Sequence, residues 1–165
     1  MLGRYSRFQA MAESLRSMLV LSMLLLLWTA NAAQAQGVPA LHAALNLEIT
    51  NIDTHQGGAL VVRVYDQAGW LHPEQAAYHR ELSVPNRDRL QVVIPDLPYP
   101  ATYAIEVFHD ANSNHVLDMR WFPFPAPKEA YGFSNHYTPF AKPDFIKASF
   151  LLDAPEYSVQ IPLHQ

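Results

Sequence analysis

A nine-residue segment in the second half of the chain carries oxygen-bearing groups at a spacing that suits a hard cation. They stand at relative positions 1, 3, 5, 7 and 9, the seventh through its backbone carbonyl: Asp110, Asn112, Asn114, Val116 and Asp118. When a chain wraps an ion such as Ca²⁺, every second residue can point inward, and the ligands are carboxylate, amide and carbonyl oxygens. The spacing predicts a calcium-type site, to which Glu129 would add a remote carboxylate.

This spacing matches the first nine positions of an EF-hand loop, but three departures set the segment apart from that pattern. Position 6 holds His115 where the pattern has glycine, and position 12 holds Trp121 in place of a bidentate glutamate. No amphipathic helix is predicted on either side. The segment is therefore not an EF-hand, and a cation bound here would require a loop of another kind.

Two alternatives to a calcium site remain open. In the first, the Asp and Asn side chains cap turns by accepting hydrogen bonds from nearby backbone N–H groups, without a metal. In the second, imidazole groups bind a transition metal, because His109, His115 and His136 lie in or near the segment. These three histidines form no HxH or HxxxH pair, so the spacing disfavours the second alternative.

The segment opens a long connection, residues 110–143, that has no clear strand or helix pattern. Connections of this length inside a compact domain are uncommon unless they are functional or disordered, and its high aromatic content argues against disorder. We predict that it packs against the domain. Four of its aromatic side chains are predicted to form a binding surface for a glycan, a peptide or a protein: Trp121, Tyr131, Phe133 and Tyr137.

The connection offers no clear nucleophile and no distinct acid–base pair. Ser134 and His136 are close in sequence, but no strand–turn–helix elbow surrounds the serine, so we expect a structured turn in which Ser134 and Asn135 satisfy backbone groups. The acidic residues give no sign of which would act as acid and which as base. The remaining enzymatic alternative is a metal-assisted hydrolase with Asp110 or Glu129 as general base.

The elements that position these residues are predicted to be short strands. Apolar and polar residues alternate over 41–50, as in a half-buried strand, and residues 59–66 are predicted to form a hairpin with them. The other predicted strands span residues 80–84, 90–94, 102–109, 147–152 and 157–163. About seven strands favour an all-β fold, an antiparallel β-sandwich of immunoglobulin-like or transthyretin-like kind with one long structured loop. A small barrel is the alternative.

Residues 1–35 resemble a secretory signal peptide. An apolar stretch at 18–30 follows three arginines and precedes Ala33-Gln34-Ala35, a small-x-small cleavage site. The stretch is shorter than the roughly 20 apolar residues that a membrane anchor needs. We predict one exported domain over residues 36–165, periplasmic or secreted, with no membrane span after cleavage; Met11 is an alternative start.

Composition narrows the function further. The 165 residues include no cysteine, which excludes disulfides, Cys-based metal sites and a thiol nucleophile. The formal net charge of -4, without a Lys/Arg cluster, argues against a nucleic-acid partner. An exported domain without disulfides needs another clamp for its long connection. Residues 110–118 with Glu129 are the predicted clamp.

Two motifs carry a resemblance to a known family. Residues 109–118 (HDANSNHVLD) and 127–135 (PKEAYGFSN) fit the patterns HDxNxNxxLD and PxExYGFSN, and Pro143-Asp144-Phe145 fits a PxF element that follows. On these motifs the sequence resembles the domain of unknown function 2141 family over residues 41–163. The resemblance implies a signal peptide, a β-sandwich and no established activity. Members commonly carry Gly at the position of His115, and the other matching polar residues imply a shared ion cage or hydrogen-bond hub.

These observations together predict an exported envelope protein that acts as a non-enzymatic binding or structural module. A calcium-type ion or a polar hub would stabilise its 110–143 connection. The metal-assisted hydrolase built on the same acidic residues remains the alternative.

Overall fold

The computed structural model describes residues 40–165. The predicted signal peptide, residues 1–35, lies outside the described residues. Within the described part, no helix is both long enough and apolar enough to cross a membrane.

The first sheet has three strands: β1 spans Leu41–Thr50, β4 spans Arg89–Tyr99 and β10 spans Glu156–Pro162. Their order across the sheet is β10-β1-β4. Strand β1 runs antiparallel to β4 and parallel to β10. Alternate side chains of β1, such as Leu45 and Leu47, are buried, because one face of the sheet packs on the core while the other faces solvent.

The second sheet has the strand order β3-β2-β5-β8, and β9 also pairs with β5. Its strands are β2 (Ala59–Tyr65), β3 (Tyr78–Ser83), β5 (Ala101–Asp110), β8 (Tyr131–Phe133) and β9 (Phe150–Leu152). All of these pairs are antiparallel. Strands β2 and β5 are buried almost throughout, so both faces of the second sheet are covered.

The main hydrophobic core lies between the two sheets. It contains inward residues of the first sheet, such as Leu47 and Ile94, together with Val62, Ile105 and Val107 of the second. The predicted all-β sandwich-like fold is therefore confirmed. A second, smaller cluster lies on the opposite, outer face of the second sheet, and this face is where the long connection packs.

Residues 111–149 cover that outer face. Besides β8 they include the small hairpin of β6 (Met119–Arg120) and β7 (Ala126–Pro127), a 3₁₀ turn at Ser134–His136, and helix α1 (Phe145–Ala148). The side chains that join the outer cluster come from both layers: Val61, Ala104, Phe108, Tyr131, Phe133, Phe145 and Ala148. The connection is thus packed on the domain, as predicted.

Two strand predictions were wrong. Strands β1 and β2 do not form a hairpin: they lie in different sheets, and residues 51–58 cross between the sheets. Alternating apolar residues show that both strands face a core. They do not show whether the two strands pair in one sheet or lie in two sheets that face each other. The predicted strand at 147–152 begins only at Phe150, because Asp144 accepts a hydrogen bond from Ile146 N (2.8 Å) and caps helix α1.

Candidate functional site

Asp110 ends β5 and organises the loop that follows. Its carboxylate is buried, with Oδ1 accepting from Asn114 N (3.1 Å) and Oδ2 from His115 N (2.7 Å). His115 adopts a left-handed φ of 65°, the conformation that glycine adopts most readily. The Asp110 carboxylate therefore holds the turn closed by accepting two backbone donors.

The two asparagines and Asp118 close the exposed side of the same loop. Asn112 Nδ2 donates to Asp118 Oδ2 (2.8 Å), and Asn114 Nδ2 donates to Asp118 Oδ1 (3.3 Å). Asn114 Oδ1 accepts from Val116 N (2.9 Å). The bond from Val116 N is of the Asx type expected if the loop holds itself together by hydrogen bonding, and the two bonds to Asp118 join side chains across the loop.

Glu129 ties the two ends of the loop together from the neighbouring chain segment. It is buried, and its Oε1 accepts from Ala111 N (3.0 Å) while its Oε2 accepts from Asp118 N (3.1 Å). A further backbone bond joins Lys128 N to Asp118 O (2.8 Å). The structure therefore brings all six predicted site residues together in one hydrogen-bonded hub.

The side chains of this hub could bind a cation only after they rearranged. The amide groups of Asn112 and Asn114 point N–H at Asp118, so both would have to turn before their oxygens faced an ion. Within residues 40–165, no group of three or more His, Asp or Glu side chains has an arrangement that could hold a metal ion. His115 instead pairs with Glu81 (Nδ1 to Oε1, 2.7 Å), and buried His109 contacts Gly57 O (Nε2, 3.0 Å).

Ser134 has a structural role, as predicted. It is fully buried; its Oγ accepts from Ile105 N (2.8 Å) and donates to Ala148 O (2.6 Å). Asn135, with φ 62°, donates to Ser149 O (2.8 Å). The serine and the asparagine thus join β5 to helix α1 and the residue after it, through backbone groups that would otherwise lack partners.

A cavity of about 880 Å³ opens between the outer face of the second sheet and the long connection. We call it the outer cavity. Its walls are mostly apolar and come from Leu71, Leu117, Met119, the residues of 124–127, and 139–143. Trp70 Nε1 donates to Pro143 O (3.1 Å) and anchors the last of these segments.

Three exposed aromatic rings line the outer cavity: Trp121, Phe124 and Phe140. Large apolar side chains left in solvent beside an apolar cavity mark a site for a ligand or partner. Phe122, in the same hairpin, is 89% exposed but does not line the cavity.

The four aromatic residues predicted to form a binding surface do not share one exposed face. Trp121 is exposed, whereas Tyr131 and Phe133 are buried in strand β8 and form cavity lining instead of an open surface. Tyr137 is not part of the lining; its ring packs against Phe133 (6.2 Å between centroids) and under Lys147 Nζ (5.9 Å). The two β8 residues are buried because β8 pairs with β5 and their side chains join the outer cluster, which the long connection covers.

One charged side chain, Glu106, lines the cavity from the sheet and is not among the residues predicted from the sequence. Glu106 stands opposite Arg63 in the β2–β5 register. Its Oε2 accepts from Tyr65 Oη (3.2 Å) and lies 3.5 Å from Arg63 Nη1. Arg63 in turn donates to His115 O (2.8 Å) and lies over the Phe108 ring (5.1 Å).

Burial is the main cause of the pKa shifts of Glu106 and Tyr65. Removal from water raises the pKa of the Glu106 carboxyl above its usual value, although Arg63 and Tyr65 oppose the shift. Burial, with the neighbouring Glu106 charge, also raises the pKa of Tyr65. The pair with Arg63 makes the burial of Glu106 tolerable, as a lone buried carboxylate would be too costly.

Fold and site together define a β-sandwich-like protein without disulfides, in which a loop held by carboxylates lies beside an apolar cavity covered by the long connection. The chain belongs to the family described as "Uncharacterized protein conserved in bacteria (DUF2141)", which matches residues 47–160. The resemblance predicted from the two motifs is thereby confirmed. Comparison with curated proteins and with solved structures found no match.

Proposed function

We propose that this protein is an exported, non-enzymatic binding module that takes a small, mainly apolar molecule into the outer cavity. The observation that carries the proposal is the cavity itself, about 880 Å³ in volume and lined mostly by apolar side chains. Pockets for small molecules are typically concave, mostly apolar and about 300–1,000 Å³ in volume. Export is inferred only from the signal-peptide pattern of residues 1–35.

The hydrogen-bonded hub supports the cavity in this proposal. Asp118 ends the hub, and Leu117 and Met119 on either side of it line the cavity. Loop 110–118 would therefore hold one wall in place whether or not an ion joins it. A calcium ion between Asp110 and Asp118 would strengthen the same wall and would not change which kind of molecule the outer cavity binds.

The binding role is preferred over hydrolysis because the carboxylates are already engaged. A general base needs a free oxygen within reach of the proton it removes. Both oxygens of Asp110 and both of Glu129 accept backbone N–H groups. Protonation of either carboxylate would weaken the backbone hydrogen bonds that it accepts, so base catalysis would loosen the loop.

A hydrophobic dye and three phenylalanine variants test the proposal. N-phenyl-1-naphthylamine, whose fluorescence rises in apolar surroundings, should bind the purified protein at one saturable site. Phe124→Ala and Phe140→Ala should each weaken binding about tenfold, since burying a Phe side chain is worth roughly 1.5–3 kcal/mol. Phe122→Ala is the matched control, because Phe122 is equally exposed but lies off the cavity.

Two results would overturn the proposal. One is an absence of saturable dye binding to the wild type. The other is an equal loss of affinity in Phe122→Ala and Phe124→Ala, which would place the dye on a general apolar surface outside the cavity.

A further inference from the structure

The sheet wall of the outer cavity presents a single ionisable carboxyl, that of Glu106, among apolar groups. Resting on the function proposed above, we propose that Glu106 Oε1 accepts a hydrogen bond from the ligand, and that the ligand is a neutral, mainly apolar molecule carrying one hydroxyl or N–H donor. The lining, the hydrogen bonds of the Glu106 carboxyl and the position of Arg63 each support a part of this inference.

The two oxygens of Glu106 have different surroundings. Oε2 accepts from Tyr65 Oη and faces Arg63, whereas Oε1 forms no hydrogen bond with any described residue. The fully enclosed side-chain atoms that lack a partner in residues 40–165 are Arg63 Nε and His109 Nδ1, so Glu106 Oε1 keeps some access to the cavity. Glu106 as a whole is only 6% exposed.

A ligand that enters the cavity separates Oε1 from the water that reaches it there, so the ligand must itself replace the lost hydrogen bond. Buried polar groups in folded proteins nearly always have a hydrogen-bond partner. A donor on the ligand would supply the missing bond to Oε1 while its apolar body filled the cavity. An apolar molecule without a donor would instead separate Oε1 from water and gain nothing in return.

The position of Arg63 argues for a neutral donor. Its guanidinium already compensates Glu106 at 3.5 Å and is held by His115 O and the Phe108 ring. A cationic head group at Oε1 would place a second positive charge close to Arg63 and would have to lose its own water. An anionic head group would be repelled by Glu106 and would favour Lys142, which is exposed and also lines the cavity.

Four naphthalene probes of similar size distinguish these cases. They are 2-naphthol (a neutral donor), 2-methoxynaphthalene (an acceptor only), 2-naphthylmethylammonium and 2-naphthoate. At a pH at which Glu106 is ionised, wild-type protein should bind 2-naphthol at least about tenfold more tightly than 2-methoxynaphthalene, because hydrogen bonds to charged groups contribute roughly 1.5–3 kcal/mol. The cation and the anion should bind more weakly than 2-naphthol. Isothermal titration calorimetry measures all four affinities.

Glu106→Gln should abolish the preference for 2-naphthol, because the hydroxyl oxygen of 2-naphthol and the ether oxygen of 2-methoxynaphthalene can both accept from an amide N–H₂. Tyr65 and Arg63 both direct donors at one oxygen, so the amide oxygen of the variant would take the place of Oε2. The amide N–H₂ would then point into the cavity, where it can donate to the oxygen of either neutral probe. The control is Glu81→Gln, which removes the same charge from an exposed residue that pairs with His115 outside the cavity.

The outcomes separate this inference from the proposed function. Equal affinity of wild type for the two neutral probes overturns the inference, whatever the variant does, and so does a preference for the cation or the anion. An unchanged preference in folded Glu106→Gln overturns it as well. If the probes still depend on Phe124 in those cases, the cavity remains the binding site and only the role of Glu106 is rejected. No binding of any probe overturns both.

Discussion

Gly58 packs directly against the backbone of Asp110, at the point where β5 passes into the carboxylate-held loop. Gly58 has φ +90°, and a Cβ placed on it would overlap the carbonyl oxygen of Asp110. The crossover between the two sheets therefore touches the loop that supports the cavity wall, and only a residue without a side chain fits at the contact.

Replacement of Gly58 should consequently destabilise the whole domain. Both the positive φ and the overlap with backbone atoms oppose a methyl group, and we expect Gly58→Ala to lower the free energy of unfolding by about 2–4 kcal/mol. The neighbouring Gly57→Ala is the control, since its Cβ would meet nothing within 4 Å. Urea denaturation followed by circular dichroism measures both; equal stabilities of the two variants would contradict the assigned contact.

Ser134→Ala should also be destabilising, for a different reason. The substitution leaves Ile105 N and Ala148 O without their partner in a fully buried position, and an unsatisfied buried group costs roughly 1–3 kcal/mol. Ser149→Ala removes a hydroxyl that bonds to Ile146 O near the surface and should change stability far less. A catalytic Ser134 would give the opposite pattern, with stability retained and an activity lost.

The loop and most strands could be predicted from sequence because their signals are local. The alternation of apolar and polar residues over ten positions predicts strand β1. The spacing of oxygen-bearing side chains from Asp110 to Asp118 predicts that they face one another in a tight turn. Left-handed backbone at His115 was likewise foreseeable, since the loop pattern calls for such a conformation at that position.

The polar group on the outer face could not be predicted in the same way. Arg63 and Tyr65 alternate along β2, and Glu106 lies opposite Arg63 on β5, so in an ordinary sandwich all three would face solvent. The alternation of apolar and polar residues along a strand does not reveal that a later segment of the chain covers that face. The only local signal is a pair of charged residues in the middle of two otherwise apolar strands. The prediction of Tyr131 and Phe133 at the surface fails for a similar reason, since strand β8 is too short to show alternation.

The hub should stabilise the loop without a metal ion. Each Glu129 oxygen accepts a different backbone N–H. In Glu129→Gln one oxygen remains as an acceptor, and the amide N–H₂ faces the other backbone N–H. We therefore expect the substitution to lower the free energy of unfolding by about 1–3 kcal/mol. Glu156→Gln, at an exposed position of β10, should be nearly neutral. The measurement is urea denaturation of both variants.

Chelation offers a separate test of the metal-free hub. The melting temperature should be the same in the presence of EDTA and of millimolar calcium, because the carboxylates already have hydrogen-bond partners. A large rise with calcium that disappears in Asp118→Asn would contradict this expectation and favour the ion cage; an ion present at 100 times its Kd would add about 2.7 kcal/mol of stability.

The buried carboxyl of Glu106 should make stability depend on pH in a direction opposite to that of an ordinary ion-paired carboxylate. Burial raises its pKa in the folded protein above the usual 4.5, so between these two values the folded chain holds a proton that the unfolded chain has released. Stability then falls as pH rises through this window. Glu106→Gln cannot ionise, and the wild type should therefore lose stability relative to this variant as pH rises from 4.5 through the raised pKa of Glu106, as measured by urea denaturation at each pH. A difference that stays constant, or that shifts in favour of the wild type as pH rises, would mean that Arg63 outweighs burial and holds Glu106 ionised throughout.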